Sequence, residues 1–280
     1  MKYRLHLSYL LIAIFCLLLG GCSGSSSASR KEHSGPPRDS TPKVLTPSAD
    51  GVTVYQNDLA SIDASNTSQG YVMVKYNGTN EKVKLQITCP DQSCYTYLIS
   101  DRGAYDTFPL TAGNGSYALQ VLENVAGDTY TVSLAQSINV SIEDEFLPFL
   151  YPNQYVNFHT DSKAVSKGSD LAKDTYSDLD VVQNIYNYVI KNISYDTEKA
   201  QNVSYGYVPD IDDTLSSKKG ICFDYAALMT SMLRSQNIPT KLEVGYSGDA
   251  YHAWISTYID DKGWVDDIIQ FNGDSWQIMD

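Results

Sequence analysis

Between residues 50 and 145 apolar and polar positions alternate in short runs. Residues 52–55, 70–76, 82–88, 95–99, 115–122 and 129–135 are rich in Val, Ile, Thr and Tyr. Turn formers separate them: Asn77-Gly78, Asp101-Arg102-Gly103, Gly113-Asn114-Gly115 and Gly127-Asp128. A period of two, punctuated at regular spacing, predicts antiparallel strands packed as a sandwich over residues 49–145. Residues 146–174 carry Pro148, Phe149, Tyr151 and Pro152 and read as an ordered connector. The period then changes. Val182, Ile185, Tyr186, Val189, Ile190 and Ile193 recur at steps of three and four, which predicts a helix over 177–193. Ser177-Asp178-Leu179-Asp180 is its capping start. A second helix opens at Cys222, with Tyr225, Leu228, Met229, Met232 and Leu233 on a buried face and Pro239 just beyond its end. Strand-like runs follow at 240–246, 251–259 and 276–280. The fold class is α+β: a Cys-led helix packed on an antiparallel sheet in a domain of residues 175–280, preceded by the β-sandwich.

The first 21 residues form a different kind of segment. Lys2 and Arg4 precede an apolar run over 10–19, too short for a comfortable membrane span and suited to a signal peptide. Leu19-Gly20-Gly21-Cys22 ends it. These small residues before a Cys resemble the lipobox of bacterial lipoproteins. That resemblance implies cleavage before Cys22 and a diacylglyceryl group on its sulfur, anchoring the chain at the extracellular face of the cell membrane. An ordinary secretory signal or an uncleaved anchor are the other readings. Residues 22–48, rich in Ser, Gly and Pro, read as a disordered spacer. Loop 207–213 holds several carboxylates but lacks a full calcium-ligand pattern, so a solvated loop is expected.

Composition narrows the function classes. Twenty basic against 33 acidic residues give a net charge of −13, and loss of Lys2 and Arg4 with the signal makes it more negative. That balance argues against nucleic acid and anionic membrane surfaces as partners. No phosphate-cradling glycine loop or dinucleotide fingerprint occurs, and no cofactor is implied. Five cysteines remain to be placed. Cys16 leaves with the signal and Cys22 takes the lipid. Cys89 and Cys94 are close enough for a small disulfide loop in an oxidising compartment. They are not a metal site, having no second Cys or His pair nearby. The sandwich shows no catalytic cluster and reads as an Ig-like accessory domain.

Cys222 remains, and it begins a helix. The macrodipole and the free N–H groups of a first turn favour thiolate, whereas burial in the core would make the residue inert. Thirty residues downstream His252 opens a strand. Thiol followed by imidazole is the order of a nucleophile and its base. Asp280 ends the last strand, with Asp266 and Asp267 as competing carboxylates. Taken together, Gly220-x-Cys222-x-Asp224, Asn237-Ile238-Pro239, Gly245-Tyr246, His252-Ala253-Trp254 and Trp276-x-x-x-Asp280 resemble the transglutaminase-like cysteine enzymes. The resemblance covers roughly residues 175–280. It implies Cys222 as nucleophile, His252 as general base and acid, and Asp280 as the carboxylate orienting the imidazole. The family's pattern continues with Pro-Thr past the position matched by Asp280. The expected function is acyl transfer or hydrolysis at amide bonds of surface proteins or wall peptides. A catalytically silent surface binding module with the same fold is the alternative.

Overall fold

The structure, a computed structural model, describes residues 35–99, 102–247, 250–266, 270–271 and 276–277. The signal segment, Cys22, Asp267 and Asp280 lie outside the described residues. The N-terminal part is a pair of four-stranded antiparallel sheets. One has β1 (Val54–Gln56), β2 (Ala60–Asp63), β3 (Tyr71–Tyr76) and β6 (Asp106–Pro109) in the order β1-β2-β3-β6. The other has β4 (Val83–Thr88), β5 (Cys94–Leu98), β7 (Gly115–Ala126) and β8 (Thr129–Val140) in the order β5-β4-β7-β8. Their inner faces share one core. Ile62, Val72, Val74 and Phe108 from the first sheet are buried with Leu85, Ile87, Leu119 and Val121 from the second. In β4 the buried residues alternate strictly, as a half-solvated strand requires. The pattern missed β2 and β6. Every residue of β2 is buried, including Ser61 and Asp63, so it carries no alternation. Asp63 is satisfied there by backbone N–H groups of Gly51 and Ser65, at 2.7 and 2.9 Å. Cys89 is buried and Cys94 exposed; both are free thiols here, and the disulfide raised from their spacing is not formed.

Among the described residues the C-terminal part has five helices: α1 (Lys163–Ala172), α2 (Asp178–Asn192), α3 (Thr197–Asn202), α4 (Ile211–Ser217) and α5 (Cys222–Ser235). Two strand residues on each side, β9 (Ser194–Tyr195) and β10 (Lys219–Gly220), pair in parallel. An antiparallel sheet follows, in the order β11 (Thr240–Ser247), β12 (Ala250–Ile259), β13 (Gly263–Val265), then a small pair, β14 (Gln270–Phe271) and β15 (Trp276–Gln277). The helix expected at 177–193 is α2, and its start is a reciprocal cap. The Asp180 N–H donates to Ser177 Oγ at 3.2 Å, and the Ser177 N–H donates to Asp180 Oδ2 at 2.9 Å. The second helix, α5, departs from the one-faced element expected. All residues from Asp224 to Ser235 are buried, because α1, α2, α4 and the β11–β12 hairpin surround it. Ala226, Ala227, Thr230 and Ser231 are small enough for neighbours to close in on the second face. Gly168 of α1 makes one such approach, with an added Cβ 3.1 Å from the Met232 carbonyl oxygen.

Two further stretches differ from expectation. Within the spacer expected to be disordered, residues 38–44 lie against the second core, and Ser48 is bonded to Tyr71 and Asn66 of the sandwich. The Arg38 guanidinium donates to Asp178 at 2.6 Å and to the Gln236 carbonyl, and the Lys43 N–H reaches the Ser235 carbonyl at 2.8 Å. Backbone hydrogen bonding and one ion pair order this stretch despite its composition. Val156, Phe158, Ala164, Val165 and Ala172, within 146–174, also belong to the second core. The connector is tied at both sides. Arg234, 3% exposed, donates to the Thr240 carbonyl and, at 2.6 Å, to the Tyr151 carbonyl. Gln154 donates to the Leu98 carbonyl and to Asp106, both at 2.7 Å. Among the described residues no helix is long and apolar enough to cross a membrane.

Gly70 is a position where the connector meets the sandwich. Its φ is +81°, and a Cβ there would lie 2.4 Å from Pro148 Cγ. Gly70→Ala is therefore expected to lower unfolding free energy by at least about 1–2 kcal/mol, the left-handed penalty alone. Chemical denaturation measures it, and an unchanged midpoint would contradict the packing described.

Candidate active site

Cys222 is the first residue of α5 and is half-buried. The motif around it has a local physical reason. Asp224, at the third helical position, turns back so that its Oδ2 accepts the Ile221 N–H at 2.8 Å. A side chain at 220 would block that return: a Cβ there would lie 2.7 Å from Asp224 Cβ. Gly220 and Asp224 thus fix the start of the helix, and Cys222 sits between them.

Asp224 is 0% exposed and fully partnered. Besides Ile221, Lys199 Nζ donates to Oδ2 at 2.7 Å and the Tyr207 hydroxyl donates to Oδ1 at 2.5 Å. Lys199 and Tyr207 also bond each other at 2.6 Å. Burial pulls the Lys199 ammonium down, but the hydrogen bonds to Asp224 and Tyr207 and the Asp224 charge outweigh it, leaving it raised. Burial, with the Asp224 hydrogen bond, pushes the Tyr207 hydroxyl up to about 12, so it stays a donor. Neither residue stands out in the sequence. Lys199 lies in a polar helical turn and Tyr207 in a loop, 25 and 17 positions from their shared carboxylate. Two carboxylates of the 207–213 stretch are also engaged: Asp210 caps α4, and Asp212 accepts the Lys163 and Ala164 N–H groups that open α1.

At the sulfur two influences oppose each other. Backbone N–H groups of Ala253, Phe223 and Cys222 favour thiolate, as the first turn led one to expect. Burial opposes them and is larger, and the Asp224 charge adds to it, so the thiol is raised rather than depressed.

His252 is half-buried in β12, directly beside Ala253, whose N–H faces the Cys222 sulfur. No hydrogen bond joins the imidazole to the thiol. Gly245 of β11 is the cross-strand partner of His252. Its missing side chain leaves room for the Trp254 ring, whose Cη2 would be 3.0 Å from a Cβ there. Trp254 in turn lines a small cavity with Cys222, Tyr225, Met229, Ala253 and Ile255. The fold therefore brings Cys222 to the His252–Trp254 segment of β12. Asp266 is exposed, just past β13.

Residues 166–266 match the model of the transglutaminase-like superfamily. This stretch is a transglutaminase-like domain. A UPF0252 protein of Methanocaldococcus jannaschii is 32% identical over 98 residues, which make up 31% of this chain and 28% of that protein. The chain thus spans under a third of that curated relative. Two solved structures are similar at lower identity. A candidate cysteine protease from Cytophaga hutchinsonii aligns at 15% identity with a TM-score of 0.38, over 76% of this chain and 67% of that one. A candidate protease from Parabacteroides distasonis aligns at 14% identity with a TM-score of 0.31, over 74% and 62%.

In the transglutaminase-like domain the Asp224 cluster is expected to control both stability and thiol behaviour. Lys199→Met leaves the buried carboxylate short of its cation and should cost about 3–5 kcal/mol in denaturant unfolding; a change within experimental error would contradict the assignment. A pH dependence also follows. A raised folded value for Lys199 stabilises below its unfolded pKa of about 10.4 and loses that stabilisation as pH climbs through the folded value. The Tyr207 shift has the same sign, because the unfolded phenol ionises first. Stability should therefore fall between about pH 10 and 12, and less steeply in Tyr207→Phe. Alkylation of Cys222 should likewise reach half-maximal rate above the free-thiol value of about 8.5, as mass-spectrometric labelling against pH would reveal.

Proposed function

We propose that the domain is a thiol-dependent enzyme acting on amide bonds of peptides or proteins, with Cys222 as nucleophile and His252 as its base. The observation that carries this reading is the convergence of the α5 N-terminus on β12: the Ala253 N–H faces the Cys222 sulfur, and His252 is the adjacent strand residue. A raised thiol needs a base at the moment of attack, and the imidazole fills that role. The Cys222 proton passes to His252 as the sulfur adds to the amide carbonyl. The resulting oxyanion is held by first-turn N–H groups that helical bonding leaves free, that of Cys222 first among them. The imidazolium then protonates the leaving amine, and a thioester remains on Cys222. Water or a second amine, deprotonated by His252, attacks the thioester and frees the thiol. Asp280 is the carboxylate proposed to orient the imidazole.

The surrounding context belongs to the same proposal. A lipid on Cys22 would hold the protein at the outer face of the cell membrane, where surface proteins and wall peptides are the substrates within reach. Two or three acyl chains anchor firmly, where a single one is marginal. The second reading, a surface binding module without turnover, is favoured by the raised resting thiol and by the absence of a thiol–imidazole hydrogen bond.

A glutamine-containing peptide incubated with a primary amine separates the outcomes by mass spectrometry. Amine incorporation indicates transfer, loss of ammonia without incorporation indicates deamidation, and chain cleavage indicates proteolysis. Any of the three should disappear in Cys222→Ala; product formation undiminished in that variant would refute the mechanism. For the anchor, Cys22→Ser should leave the protein shed or unprocessed, and normal membrane retention would count against lipidation.

A further inference from the structure

The sheet face bearing His252 runs on to a cleft that the proposed chemistry does not use. Cross-strand pairing sets Gly245 opposite His252, Glu243 opposite Trp254, Lys241 opposite Ser256, and Tyr258 opposite Trp264, so these positions share one face. At its far end Lys241 and Trp264 meet Phe149 of the connector, Glu145 just before it and Asn114 of the β6–β7 turn, around a cavity of about 280 Å³. Lys241 lies four residues along β11 from Gly245, or about 13 Å at strand spacing, so the cleft is separate from the thiol.

Its charges are unusually placed. The Lys241 ammonium is held over aromatic faces, 4.0 Å from the Trp264 centroid and 5.4 Å from that of Phe149. Glu145 is exposed at the rim. Among the described residues neither forms an ion pair, with the other or with a third group. Asn114 Oδ1 is occupied by the Ile142 N–H at 2.7 Å, which leaves its amide N–H groups to donate. A cation and an anion thus line one cleft together with aromatic wall and form no ion pair with each other. A purely anionic ligand meets Glu145 and the net charge of −13; a purely cationic one meets Lys241. A ligand with both charges satisfies both poles.

We propose that this cleft binds a short zwitterionic peptide. Its terminal carboxylate pairs with Lys241 and Asn114, its terminal ammonium with Glu145, and its apolar side chain lies on Trp264 and Phe149. The assignment does not depend on turnover at Cys222. The full chain carrying Cys222→Ala is titrated calorimetrically with alanyl-phenylalanine, its N-acetyl derivative and its C-terminal amide. The free dipeptide should bind roughly tenfold or more tightly than either blocked form, the factor for one charged hydrogen bond. Lys241→Met should bring it to the level of the amide, Lys241→Arg should keep the preference, and Glu145→Gln should bring it to the level of the N-acetyl form. Equal affinities for the three probes, lack of saturable binding, or an unaltered preference in Glu145→Gln, whose side chain is exposed, would overturn the proposal.

Discussion

The buried Asp224 carboxylate is the constraint on which the second domain's chemistry depends. It closes the N-terminus of α5 through Ile221, draws Lys199 from α3 and Tyr207 from the following loop, and requires a glycine at 220. A carboxylate held out of water persists as a charge only if each oxygen is satisfied, and here each is. Cys222 stands two residues before it, so the position of the thiol is set by a polar cluster rather than by its own contacts. The helix behind it is buried all round, which leaves its first turn little freedom to shift. Rigidity of this kind is what a reacting group needs, since small displacements cost rate.

Desolvation and the helix start act against each other at the sulfur, and desolvation is the larger. A resting thiol resists adventitious oxidation and alkylation, because thiolate is the reactive form. Under the proposed mechanism, activation then falls to the imidazole on β12.

Much of this domain was legible in the sequence because its signals are local. The 3.6 periodicity and capping box gave α2, and the β-branched and aromatic runs at 240–246 and 251–259 gave β11 and β12. The sandwich was legible from alternation, except for β6 and for β2, whose Ser61 and Asp63 are buried on the face opposite Ala60 and Ile62 and satisfied by contacts that no period encodes. What depends on long separation was not visible. Lys199 and Tyr207 are unremarkable until the chain closes on Asp224. The ordering of 38–44 depends on Arg38 meeting Asp178 and Gln236, far along the chain. The net thiol shift also required the fold, because the macrodipole can be inferred from a helix start but burial cannot.

The central proposal for the domain is that Cys222 acts as a nucleophile assisted by His252. An activated ester, p-nitrophenyl acetate, tests this without knowledge of the natural substrate. At neutral pH the full chain should release nitrophenolate in a burst, with acetyl mapped to Cys222 by peptide mass spectrometry. His252→Ala should slow the burst by about 10²–10⁴-fold, the range for general base assistance. Acetylation absent from Cys222, or a burst as fast without the imidazole, would contradict the account.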